Sequence, residues 1–224
     1  DGSSLKSIVA TFLSFSMRGR GVAPAFLRMP PSPLEGKPEK EEDGQQNLLL
    51  SSASNDSSSG SSSSSARCSL EMFIRYLQAA SLLSPWFEIP LGEHSLSNIM
   101  FRKVLRRIIV LREKLSKHFR FPGKEPSIWP MHLEQGDGRL IAMKKCGVSV
   151  YSQWMIRSEV IVAPILNATS YRNIYLPSGE WVDLMAKKFT RHVGPKCLRR
   201  YSADIYSIPV FERPLDQVPF HLEL

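Results

Sequence analysis

The chain has 224 residues, 42% of them hydrophobic, which admits one large domain or two small ones. It contains no run of about 18 apolar residues, so no segment of the sequence reads as a membrane-spanning helix. Its formal charge of +8 is concentrated in one stretch, so a surface coated throughout with basic residues is excluded.

The start, DGSSLK, has no initiator Met and no basic region followed by an apolar core, so the true N-terminus is expected to lie elsewhere. Residues 5–17 carry Leu5, Ile8, Val9, Phe12 and Leu13 at helical spacing, which predicts a buried helix ended by Gly19 and Gly21. Residues 22–27 read as a short buried strand, and Pro30, Pro31 and Pro33 stop regular structure. Residues 34–67 are polar and of low complexity, with a serine tract at 57–65 broken only by Gly60. Such a segment buries too little apolar surface to offset its ordering entropy, and disorder is expected.

Ser69 reads as the N-cap of a helix running to about Leu83, with Glu71 in its first turn and Leu70, Phe73, Ile74, Leu77 and Leu82 on one face. Ser84-Pro85 breaks it. Ser95 is expected to cap a longer helix that turns Leu96, Met100, Val104, Ile108, Leu111 and Leu115 inward. Between Arg102 and Lys124 there are nine Lys or Arg and one acid, Glu113. No nucleic-acid-binding motif accompanies them, so they read as the solvated outer face of that helix.

From Glu159 the texture changes to short β-branched runs separated by turn signals, which suggests a β-sandwich, with a domain boundary between about 125 and 158. Residues 159–166 form one strand candidate. Residues 173–176 and 180–184, separated by Pro177-Ser178-Gly179, read as a hairpin, and residues 207–213 are a further strand candidate. Trp129 and Trp181 are expected to pack beneath the strands, with Asp183 capping a turn. The cysteines Cys68, Cys146 and Cys197 form no C-x-x-C pair; one disulfide with a thiol left over, or three buried thiols, would both satisfy them. His94, His118, His132, His192 and His221 lack the i, i+4 spacing of a metal pair, so no metal is expected, and no glycine-rich phosphate loop or other cofactor motif is present. Two triplets, at Asn167-Ala168-Thr169 and Asn55-Asp56-Ser57, fit the N-glycosylation acceptor pattern and hint at the secretory pathway.

Three blocks taken together, SEVIVAPIL at 158–166, NIYLPSGEWVDL at 173–184 and IPVFER at 208–213, resemble the C-terminal region of glycoside hydrolase family 31, in the same order and at similar distances. EMFIRYLQ at 71–78 is similar to that family's E-L-x-x-R-W-x-Q helix, LREK at 111–114 to its last barrel helix, and LKSIV at 5–9 to the helix before a late barrel strand. Within the family the likeness is to the myogenesis-regulating glycosidase branch.

The resemblance implies an α/β plus β chain: the C-terminal part of a (β/α)8 TIM barrel followed by a partial antiparallel β-sandwich. Residues 1–33 would be a βα segment of the barrel, 34–67 a disordered insert, 68–150 the last barrel helices with a connection, and 151–224 the incomplete sandwich. It further implies retaining hydrolysis of an α-glucosidic bond by two carboxyl groups about 5 Å apart. The family's W-x-D nucleophile block is absent from the chain. Asp1 alone could stand at the acid/base position, and it lacks the preceding Gly and following Asn. Where the family has an acidic sugar-binding loop this chain has GVAPAFLR at 21–28, and where many members place Arg-x-His it has Ser84-Pro85-Trp86, leaving Trp86 to stack on a sugar and Glu88 to bind a hydroxyl. The family usually has Gly where Arg157 stands. The expected partner is a carbohydrate substrate in a longer parent, with the chain itself inactive. The alternatives are a non-catalytic interaction protein derived from the family and, third, a basic nucleic-acid-binding module.

Overall fold

The computed structural model describes residues 27–28, 62–83, 87–89, 93–119, 128–131, 138–186 and 190–214. The helix expected at 5–17 and residues 34–61 of the serine-rich stretch lie outside them. Strand β1 (Leu27–Arg28) pairs in parallel with β2 (Phe87–Glu88), Leu27 opposite Phe87 and Arg28 opposite Glu88. Helix α1 (Ser62–Ser81) lies between them in sequence, as a parallel pair requires a crossover. It starts seven residues before the expected cap, so Ser69 lies inside it and Glu71 falls beyond its first turn. Serine costs a helix only about 0.5 kcal/mol per residue, so packing further along can carry the helix back through a serine tract.

Helix α2 (Glu93–Ser97) is short, and α3 (Ile99–Phe119) is the longer one. The cap of α3 is Asn98, not Ser95: its Oδ1 accepts the Phe101 N–H at 2.9 Å. Leu96 therefore belongs to α2 and is exposed, while Phe101, which the expected inward face left out, is buried. Phe101, Val104, Ile108, Leu111, Leu115 and His118 recur at spacings of three and four, and that stripe is buried. Phe73 of α1 stacks on Phe101 with ring centroids 6.0 Å apart. Arg102, Lys103, Arg106 and Lys117 are exposed, so much of the basic stretch forms a solvated helix face.

The remaining elements are β3 (Ile128–Pro130), α4 (Arg139–Lys145), β4 (Trp154–Ile156), β5 (Val160–Val162), β6 (Tyr171–Asp183), β7 (Thr190–Ser202) and β8 (Val210–Glu212). Among the described residues these strands form one six-stranded sheet, β3-β4-β5-β8-β6-β7, with every neighbour antiparallel. Side chains alternate across it. Trp154, Ile156, Val160, Val162 and Val210 face the core made with α1 and α3. Met155, Ile161, Phe211 and Trp181 face a second core with Met131, Met143 and Val148. A strand buried on both faces reads as a continuous apolar run, which is why residues 159–166 show no alternation.

Pro177-Ser178-Gly179 is not a hairpin turn. It lies inside the single strand β6, whose hairpin partner is β7. Leu176 opposes Lys196 and Gly179 opposes Gly194, so two residues of β6 face one of β7 in a bulge. Pro177 and Pro195 have no N–H to offer the ladder and occupy the place where it opens. Gly179 has φ +118°, and a Cβ on Gly194 would lie 1.9 Å from the Pro177 carbonyl oxygen. The Trp181 indole N–H donates to that same oxygen at 2.9 Å. Strand β7, with Gly194 and Pro195 inside it and five basic side chains, gave no strand signal in the sequence.

Arg157 occupies the turn between β4 and β5 with φ 50°, a left-handed conformation that explains the family's glycine at this place. The turn is held by the Trp129 indole N–H on the Arg157 carbonyl at 3.1 Å. Cys146, just after α4, is bonded to Cys197 of β7, their Cα atoms 5.7 Å apart.

Two stability outcomes follow. Gly194→Ala should lower stability by about 1–3 kcal/mol, because the clash is with backbone that cannot swing aside; urea unfolding measures it. Replacing Cys146 and Cys197 together by Ser should cost about 4 kcal/mol if closure of the 51-residue loop sets the effect, read as a fall in the thermal midpoint of the non-reduced protein.

Candidate functional site

Of the three residues singled out from the sequence, Asp1 and Trp86 lie outside the described residues. Glu88 ends β2, at the position that pairs with Arg28 of β1, and it is exposed. Among the described residues it makes no hydrogen bond or ion pair, and no group of three or more His, Cys, Asp or Glu could hold a metal. Of the three, only Glu88 is thus placed by the described residues.

What the structure does bring together is a polar junction between the helices and the sheet. Arg75 is buried on α1. Its Nη1 donates to the Asp204 carbonyl at 3.0 Å and to Gln78 Oε1 at 3.3 Å, and its Nη2 to the carbonyls of Thr169 and Ala203, both at 3.3 Å. Gln78 Nε2 donates to the Ile205 carbonyl at 2.7 Å. Glu71 approaches Arg75 to 4.0 Å, but the main partners of the guanidinium are backbone oxygens. Burial lowers the Arg75 pKa, with Glu71 and Asp204 opposing the shift. The Arg and Gln of the helix motif thus grip the loops that flank β6 and follow β7. Trp154 adds a third grip, its indole N–H donating to the Leu82 carbonyl at 3.1 Å.

Further along, the buried His118 of α3 sits between two glutamates. Nδ1 is 2.7 Å from Glu159 Oε2 and Nε2 is 3.0 Å from Glu212 Oε1, which Lys117 Nζ also approaches at 3.1 Å. A carboxyl oxygen thus lies within hydrogen-bond distance of each ring nitrogen. Burial alone would raise the Glu212 carboxyl; hydrogen bonds from His118 and Lys117 outweigh it and hold the group below the usual carboxylate range. The imidazole lies between the two carboxyl groups and engages both, so they do not face one substrate as a nucleophile and acid/base would.

On the opposite face, Gln153 is buried and mimics a strand: its Oε1 accepts the Tyr175 N–H at 3.2 Å and its Nε2 donates to the Tyr175 carbonyl. Arg172 binds the Ser152 and Pro164 carbonyls, and burial lowers its pKa to about 10. Asp183 caps a turn as expected, accepting the N–H groups of Met185 and Ala186 at 2.9 and 3.1 Å, and its other oxygen takes the Tyr201 hydroxyl. That hydrogen bond and burial push the Tyr201 phenol up, burial being the larger cause. Gln153, His118 and Tyr201 escaped the sequence reading because each partner lies on another element. Polar residues at otherwise apolar positions were the available signal.

Residues 124–214 match a family model described as the Glycosyl hydrolase family 31 C-terminal domain. No curated protein matches the chain. Among solved structures, a dextranase of Flavobacterium johnsoniae complexed with glucose is similar at 21% identity and a TM-score of 0.48, over 65% of this chain and 18% of its own. An α-xylosidase from a soil metagenome complexed with xylose is similar at 18% identity and a TM-score of 0.49, over 65% of this chain and 25% of its own. A cycloalternan-forming enzyme from Listeria monocytogenes is similar at 18% identity and a TM-score of 0.47, over 64% and 15%. The chain thus spans a quarter or less of the length of these proteins. Among the described residues no helix is long and apolar enough to cross a membrane.

Arg75→Lys should destabilise about as much as Arg75→Met, by about 3 kcal/mol, since an ammonium cannot reach four acceptors arranged for a planar fork; chemical denaturation of both variants tests this. Because the Glu212 pKa is depressed on folding, its contribution is present above the ordinary glutamate value of about 4.3 and is lost as pH falls through the lower folded value. Glu212→Gln should flatten the stability profile in that acid range.

Proposed function

We propose that the chain belongs to glycoside hydrolase family 31, whose C-terminal domain model matches residues 124–214, and that it serves as the barrel-closing and bracing part of a longer protein that hydrolyses O-glycosidic bonds of the α-glucosidic type. The single observation that carries this reading is the joint placement of the family's late motifs. The 71–78 helix motif grips the 124–214 domain through Arg75 and Gln78, and Trp154 of that domain holds the Leu82 carbonyl just beyond the motif. The parallel pair β1 and β2 with its intervening helix has the sense of adjacent barrel units, whose C-terminal strand ends would face substrate. On this reading Glu88 stands at such an end and Trp86 just before it, and the six-stranded sheet is one layer of the bracing sandwich.

We further propose that this chain alone cleaves no glycosidic bond. It contains no nucleophile block, and of its carboxylates Glu159, Glu212 and Asp183 are committed to structural partners. A second reading, a non-catalytic interaction protein derived from the family, is favoured by GVAPAFLR at 21–28 and by Ser84-Pro85-Trp86 where substrate-binding residues are expected.

Purified chain incubated with aryl α-glycosides should release no sugar, and measurable turnover would refute the inactivity. A longer parent should turn over the same substrates and lose activity when its upstream nucleophile is changed. A folded parent without turnover would establish the second reading instead.

A further inference from the structure

We propose that Asn167 is a site of N-linked glycosylation, the acceptor being its side-chain amide nitrogen and the donor a lipid-linked oligosaccharyl diphosphate. Asn167-Ala168-Thr169 has the acceptor pattern with a small residue, not proline, in the middle. It lies between β5 and β6, where Asn167, Ala168 and Ser170 are all exposed. The Thr169 hydroxyl donates to Asn167 Oδ1 at 2.8 Å, and the Thr169 N–H donates to the Asn167 carbonyl at 2.8 Å. The oxygen of the Asn167 amide is therefore occupied within the triplet. Its nitrogen has no hydrogen-bond partner among the described residues.

The C-terminal end of the triplet is tied to the fold. Arg75 donates to the Thr169 carbonyl, and the Ala203 N–H donates to the Ser170 carbonyl at 2.8 Å. A glycan added at Asn167 would extend into solvent without displacing any of these contacts. A second observation agrees independently. The Cys146–Cys197 disulfide ties the same domain together, and disulfides form and persist in the oxidising compartments that secreted chains enter. Oligosaccharyl transfer belongs to the same route. Neither observation depends on the glycosidase reading above.

In the transfer, the amide nitrogen bonds to the anomeric carbon of the sugar and gives up one proton. The bond from that carbon to the diphosphate oxygen breaks, and the lipid diphosphate leaves with the electron pair. Nothing is oxidised or reduced. The other acceptor triplet, at Asn55, lies outside the described residues, so the two must be separated by experiment.

The full chain is translated without cells behind a cleavable secretion leader, with and without microsomes, and the protease-protected product is treated with an endoglycosidase that removes N-glycans. The expected result is an endoglycosidase-sensitive mobility shift that persists in Asn55→Gln and in Thr169→Ser. Asn167→Gln and Thr169→Ala should each remove that shift from the Asn55→Gln background. The readout is covalent, so a variant that fails to fold still reports. A protected product that carries no shift, or a shift that survives Asn167→Gln and disappears with Asn55→Gln alone, would overturn the proposal.

Discussion

A buried guanidinium is costly unless its N–H groups find oxygen atoms, and much of this structure is arranged around supplying them to the two terminal nitrogens of Arg75, its Nε alone having no partner among the described residues. Four acceptors converge on it, three of them main-chain carbonyls from two separate loops of the sheet domain. Those loops flank β6 and follow β7, the two longest strands. The α1 helix, the start of β6 and the end of β7 therefore hold their relative positions through one side chain, with Gln78 and Trp154 as its nearest support. Apolar burial between α1, α3 and the sheet supplies the larger share of stabilisation, but it is non-directional. The polar junction supplies the direction.

The sheet shows the same division. Its two apolar faces set which residues point where, and the bulge between β6 and β7 sets how the two long strands run. A bulge with a proline on each strand needs glycine where backbone meets backbone, which is Gly194, and Gly179 takes the positive φ beside it. The disulfide from Cys146 to Cys197 and the Asn173 side chain, which bridges the Cys146 carbonyl and the Arg200 N–H at 2.8 and 3.0 Å, fix the far end of β7 to the segment after α4. A strand that carries so many basic side chains along a sheet edge is discouraged from pairing with another chain.

The proposed function rests on the match of residues 124–214 to a family model and on the bracing contacts, not on a pocket of reactive groups. Glu159, Glu212 and Asp183 are employed in holding elements together. His118 draws Glu159 and Glu212 onto α3, and Asp183 shapes the turn after β6. These are the uses expected of carboxylates in a bracing domain.

The sequence by itself determined the helix faces at 73–83 and 104–115 and the buried strands at 160–162 and 210–212, because each rests on local periodicity or on ordered short motifs. It also determined that Trp181 and Asp183 are structural. Only the tertiary structure decided that Asn98 caps α3, that Pro177-Ser178-Gly179 is a bulge within one strand, that Cys146 and Cys197 are partners, and that Arg75 binds carbonyls more than an acid. Each of those depends on a contact between residues far apart in the chain, or on a choice among local signals that only packing resolves. A cap, a turn and a bulge draw on the same few residue types, and the energy separating them comes from what lies opposite.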